Sequence, residues 1–176
     1  MNDTVPFTIK LEVPLLKKVH TKINNREAVR AVILQDDKIL LVQSNKRDFK
    51  FPGGGIEGEE NHQQALKREV EEETGYINLE VIKTIGKILE RKTDEFESDC
   101  LFSMNSTYYL CKLINEDKTS IRLNEYEAEL DFSPVWVTLD EAIRQNEVLM
   151  HKIKRNSWLK RETLVLKRLK AEVLAY

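Results

Sequence analysis

The run FPGGGIEGEENHQQALKREVEEETGY, from Phe51 to Tyr76, constrains this 176-residue chain more than any other stretch. Asn61 predicts a helix N-cap, with Gln64 three positions on as its capping-box partner. Gly75 predicts the stop, because glycine adopts the left-handed conformation that closes a helix. Between them lie about three helical turns. Residues in a helix advance by about 100° each, so Glu69, Glu72 and Glu73 share a face, with the small Ala65 one turn earlier. Leu66 and Val70 form the adjoining apolar stripe, suited to burial against a sheet. Arg68 sits at the edge, within reach of Glu72 at i+4 or of Glu60 in the preceding loop.

Three carboxylates on one face repel each other, and a hard divalent cation removes that cost. Pro52 holds Phe51 extended, and Gly53, Gly54 and Gly55 let the backbone turn and approach a ligand closely. A cation beside a glycine loop describes a site for phosphates. A glutamate-rich helix by itself reads as a solvated face. The spaced set Gly54, Glu60, Arg68, Glu69, Glu72, Glu73 and Gly75 is far more specific, with a chance expectation of about one in 10⁸ starting points.

Those positions, with Val70 and Tyr76, resemble the signature box of the Nudix hydrolases. The resemblance is close over the box and loose from about Arg26 to Met150. It implies an α/β fold, an α/β/α sandwich with a mixed central sheet. It divides the chain into an N-terminal strand extension (1–25), a Nudix hydrolase domain (26–150) and a basic amphipathic C-terminal helix packed on the same domain (151–176). Carried over by position, the metal ligands are Glu69, Glu72, Glu73 and the carbonyl of Gly53, and the ion is Mg²⁺ or Mn²⁺. Arg68 and Glu60 resemble the pair that braces the helix. Tyr76 replaces the usual aliphatic residue and should still pack.

The family's reaction is hydrolysis of a pyrophosphate linkage in a nucleoside diphosphate derivative, by in-line attack of a metal-bound water on phosphorus. Catalytic candidates are Glu72 as a base on the helix, Glu127 or Glu129 as bases in a later loop, and Arg68 in its bracing role. Substrate-contact candidates are Arg30, Phe51, Gly54 and Arg91. The alternative substrate class is an intact or oxidised nucleoside triphosphate. No proline follows the box closely, which weakens an ADP-sugar reading. The alternative of another class is a nucleotide-binding Nudix module without turnover, although such modules usually lose box carboxylates.

The remaining chain supports a scaffold for this site. Phe7, Ile9, Leu11 and Val13 alternate with polar residues and predict a half-buried strand before Pro14. Arg26 to Leu34 predicts a strand apolar on both faces, paired through a turn at Gln35–Lys38 with Ile39–Gln43. Val29, Ala31 and Ile33 face one side; Ala28, Val32 and Leu34 face the other. Arg30 interrupts this strand and needs a partner, either within the protein or on a substrate phosphate. Phe49 and Phe51 read as packing residues or as a platform for a base.

Asn45–Lys50 and Arg91–Ser98 read as polar loops. Leu79–Glu90 reads as a strand with a bulge at Gly86, and Thr107–Leu113 as its apolar neighbour. Glu125, Glu127 and Glu129 alternate ahead of the strand Val135–Val137. Thr138-Leu139-Asp140-Glu141 opens a helix as a capping box. His151–Tyr176 is a long helical pattern with a stripe of Leu159, Leu166, Leu169 and Val173, carrying eight Lys or Arg against two Glu. It reads as a docked helix with a solvated basic face, or as a dimer or phosphate-partner element.

Hydrophobic residues make up 41% and charged residues 33%, as in a globular domain with its own core. The net charge of −2 gives no global field to draw nucleic acid. No apolar run is long enough to span a membrane, and the N-terminus lacks signal-peptide features. Cys100 and Cys111 read as free thiols of a cytoplasmic protein, or as a bridge across a hairpin. The expected partner is a nucleotide-type small molecule, with a homodimer as a further expectation.

Overall fold

The computed structural model describes residues 6–12, 19–94, 96–152 and 158–173. Its centre is β2 (Lys22–Gln35), in which every residue from Ala28 to Ile33 is buried. Helices cover this part of the strand on both faces, which explains its unbroken apolar run. A turn at Asp36 and Asp37 leads to β3 (Lys38–Gln43), antiparallel to β2. On its other edge β2 runs parallel to β6 (Cys100–Leu113). The sheet continues through β5 (Leu79–Thr93), antiparallel to β6, to β1 (Phe7–Glu12), parallel to β5. β4 (Phe49–Lys50) and β7 (Ser133–Thr138) both pair with β3, completing a mixed seven-stranded sheet.

Helix α1 (His62–Thr74) packs Ala65, Leu66 and Val70 against Val29, Ala31 and Ile33 on one face. A short helix, α2 (Glu125–Glu129), precedes β7. On the opposite face α3 (Leu139–Lys152) and α4 (Leu159–Val173) contribute Ala142, Ile143, Val165, Leu166 and Leu169 to a core shared with Val32, Phe51 and Tyr108. The result is an α/β/α sandwich. No helix among the described residues is long and apolar enough to cross a membrane.

The structure corrects several boundaries. β2 begins at Lys22, and β5 and β6 form a long hairpin through the charged segment expected to be loop. This part pairs Arg91 with Ser103 and Lys92 with Phe102 in an unbroken ladder. Backbone pairing therefore persists where the hydrophobic alternation has ended. The bulge near Gly86 is present as a register shift. Asn45–Lys50 includes β4, and the alternating glutamates lie on α2. The C-terminal pattern is not one helix from His151: α3 runs to Lys152 and α4 starts at Leu159. Val13, Pro14, the segment 153–157 and the Val173 side chain lie outside the description. Cys100 and Cys111 are free and buried on the same strand. Eleven residues of strand separate them by about 36 Å, so no bridge can form.

Candidate active site

The site begins with the ends of α1. The Asn61 side chain accepts from the Gln64 backbone at 3.0 Å, and the Gln64 side chain accepts from Asn61 N at 2.8 Å. This reciprocal pair fixes where the helix starts. Gly75, at φ 80, ends it. Helical spacing then drives Glu69 and Glu73 inward beside the buried Val70.

The glycine loop leans directly on these glutamates. A Cβ on Gly54 would come within 2.4 Å of the Glu69 carboxylate. Gly53 has φ 140, and a Cβ there would meet the Val29 carbonyl at 2.0 Å. Gly53 N donates to Glu73 Oε2 at 2.8 Å, and Lys50 Nζ donates to Glu73 Oε1 at 2.6 Å. The guanidinium of Arg30 donates to the Gly53 carbonyl. Arg30 is 7% exposed, and its Nε has no partner among the described residues.

Glu127 closes the cluster from α2. Single carboxylate oxygens of Glu69, Glu73 and Glu127 lie within 4.8 Å of one another. The Glu127 backbone accepts nothing from this cluster; its position comes from a second capping box, with Glu127 N on Asn124 Oδ1 and Asn124 N on Glu127 Oε2, both 3.0 Å. The loop before β4 anchors α2, since Asn45 donates to the carbonyls of Glu129 at 3.1 Å and Leu130 at 2.7 Å. Burial pushes the Glu69 carboxyl up to about 7, with the charge of Glu73 adding to it and Arg68 and Arg30 opposing it. Two buried carboxylates and one half-buried, all hard oxygen donors, fit a divalent cation such as Mg²⁺. The space that Gly54 leaves for Glu69 keeps this donor set together.

Arg68 ties helix to loop. It donates to Glu60 at 2.6 and 3.1 Å, to the Gly55 carbonyl at 3.0 Å, to Glu69 at 2.8 Å and to Glu72 at 3.2 Å. Glu72 therefore shares the Arg68 guanidinium with Glu69 and is not one of the three carboxylates that converge within 4.8 Å.

A second polar network supports the loop from below. Glu162 of α4 is fully buried and accepts from Phe51 N at 2.7 Å, Tyr108 Oη at 3.1 Å and Arg161 Nε at 2.8 Å. Burial alone would raise its pKa, but Arg161 and Arg30 outweigh burial and hold it below the ordinary carboxylate range. Asn146 of α3 brackets Phe49, accepting from its N at 2.8 Å and donating to its O at 3.0 Å.

Several candidates thus fall elsewhere than expected. The Phe51 ring is fully buried against Tyr108, centroids 5.4 Å apart, and leaves no face on which a base could stack. Arg91 sits on β5 near Glu12 of β1, 3.9 Å away, rather than among the box residues. Glu129 is exposed, and only its carbonyl takes part in the site's framework. The Gly53 carbonyl is engaged by Arg30. Lys50, Asn146 and Glu162 were missed. Glu162 did leave a signal: it interrupts the apolar stripe of Leu159, Leu166 and Leu169, where a solvated charge has no place. Its neighbour Arg161 is buried too, unlike the exposed Lys160, Lys167 and Arg168 of the same helix.

Comparison with known proteins identifies the family. The NUDIX domain family matches residues 24–160. The chain belongs to that family and is a Nudix hydrolase. It is 26% identical over 133 residues to Nudix hydrolase 25 of Arabidopsis thaliana, covering 68% of this chain and 76% of that protein. It is 39% identical over 66 residues to an ADP-ribose pyrophosphatase of Methanocaldococcus jannaschii, covering 35% of this chain and 39% of that protein. A NUDIX hydrolase from Nitrosomonas europaea shares the fold, with a TM-score of 0.58 and 21% identity over 84% of this chain and 90% of that one.

Proposed function

We propose that the chain hydrolyses a pyrophosphate linkage in a nucleoside diphosphate derivative, with Glu69 and Glu73 holding a divalent cation and Glu127 beside them as the base. The convergence of these three carboxylates within 4.8 Å carries the reading. A bound Mg²⁺ or Mn²⁺ supplies charge neutralisation for the diphosphate oxygens. The protein residues do the rest. Gly53 and Gly54 bring backbone close to the phosphates, and Arg30 fixes the Gly53 carbonyl from beneath. Arg68 holds the loop and the carboxylate face in register. Glu127, half-buried on α2, takes the proton from the attacking water. Glu72 orients Arg68.

ADP-ribose is the first substrate to test, because a segment of the chain is 39% identical to an ADP-ribose pyrophosphatase. The two free thiols support a reducing, cytoplasmic setting. The decisive experiment is hydrolysis of ADP-ribose, nucleotide sugars, dinucleoside polyphosphates and nucleoside triphosphates in Mg²⁺ or Mn²⁺, with Glu73→Gln as control. Release of a nucleoside monophosphate that the variant abolishes is the expected result. Nucleotide binding without turnover of any of these compounds would point instead to a binding module.

A further inference from the structure

Beyond the carboxylates, the extended ends of β2, β5 and β6 and the outer side of α2 enclose a hollow of about 460 Å³. Arg26, Lys92, Asp94, Phe96, Phe102 and Tyr126 line it. We propose that this hollow takes the base of the nucleotide whose diphosphate lies at Glu69, Glu73 and Glu127. The proposal rests on the hydrolase reading above and adds the residues that select the substrate.

Three aromatic rings converge on one open space beside two cations. Phe96 is 97% exposed and Tyr126 is 55% exposed, the most exposed aromatic side chains among the described residues. Phe96 is not loosely placed: its N donates to Asp94 Oδ1 at 2.9 Å, and Asn24 donates to Asp94 Oδ2 at 3.4 Å. Tyr126 packs edge-on against Trp158, centroids 6.2 Å apart. Lys92 lies over the Phe102 ring at 5.3 Å. Arg26 is exposed and makes no ion pair among the described residues. Aromatic faces flanked by cations suit a planar base that carries anionic groups.

The hollow also lies in the right direction. Tyr126 directly precedes Glu127, so one short helix serves both places. Arg26 and Arg30 are four residues apart on β2, hence on one face and about 13 Å from each other. Arg30 marks the loop end of that row, through Gly53, and Arg26 marks the hollow. An extended nucleoside diphosphate bridges a gap of that order.

The test is calorimetric titration in Mg²⁺ with two non-hydrolysable probes, α,β-methylene-ADP and methylenediphosphonate. Phe96→Ala, on the exposed turn, and Arg26→Ala should each weaken α,β-methylene-ADP about tenfold, the usual effect of losing one base contact. Methylenediphosphonate should bind all three proteins equally. Unchanged nucleotide affinity in both variants overturns the proposal. So does wild-type protein that binds the nucleotide no better than the diphosphonate, while hydrolysis lost in Glu73→Gln would still uphold the hydrolase reading. Absence of both hydrolysis and diphosphonate binding removes that reading, and the pocket assignment falls with it.

Discussion

Two glutamates among the described residues have no exposed surface, and they sit in opposite electrostatic settings. Glu162 under the loop is surrounded by donors: Arg161, the Tyr108 hydroxyl and the Phe51 amide. Glu73 above it also has two donors, Lys50 and Gly53 N, but it shares its space with Glu69 and Glu127. The first arrangement is complete within the protein. The second brings three carboxylates together, and the proposed cation would offset their mutual repulsion. Burial alone therefore does not distinguish a structural carboxylate from a functional one; the sign of its neighbours does.

The sharpest way to break this contrast is to neutralise each glutamate in turn. Glu73→Gln is expected to lower metal-dependent turnover about a thousandfold, equivalent to several kcal/mol of charge stabilisation. Its unfolding free energy should stay within about 1 kcal/mol of wild type, because the amide oxygen can still accept from Gly53 N. A denaturant melt beside a rate assay checks both halves. Glu162→Gln should do the reverse and destabilise the fold by about 3–5 kcal/mol, since the buried Arg161 keeps only Glu90 as a counter-charge and Arg30 loses the buried charge near it.

The pH dependence of Glu162 follows from the same setting. Its folded pKa is depressed, so its contribution is complete above the unfolded value and is lost as pH falls through the folded one. The stability gap between wild type and Glu162→Gln should accordingly narrow below about pH 4.5. A gap that widened with acid would contradict the assignment.

Smaller effects sharpen the acidic side. Glu127→Gln should slow hydrolysis about a hundredfold, within the usual range for a lost general base. Lys50→Met removes the cation already beside Glu73. The metal-free variant should lose about 1–2 kcal/mol, and added Mg²⁺ should raise its melting temperature more than it raises that of wild type. Equal shifts would show that Lys50 does not offset the acidic cluster. Glu129→Gln is the low end of the series, with a rate within about twofold of wild type, as expected for an exposed side chain.

The two regions also differ in how far they could be read from sequence. Helix α1 was legible because its caps, its apolar stripe and its carboxylates all lie within one short segment, where angular spacing decides which residues meet. The central strand was legible because a run apolar on both faces has few other places to go. The choice between Glu127 and Glu129 was not. Read as an extended segment, the two share a face; on α2 they point about 200° apart, and only Glu127 turns toward the box. The lower network was least legible of all. Phe51 and Glu162 are 111 residues apart, and neither position reports the other. Only a charge on an apolar helical stripe hinted that Glu162 had a partner.

That same separation bears on how the protein is made. The Phe51 amide and the loop behind it emerge from the ribosome more than a hundred residues before the carboxylate that anchors them. Until α4 has been synthesised, Arg30 lacks the buried counter-charge near it, and the strand leading into the glycine loop has no support from below. The nascent chain can build the box helix early, but the acidic pocket takes its working shape only when α4 arrives.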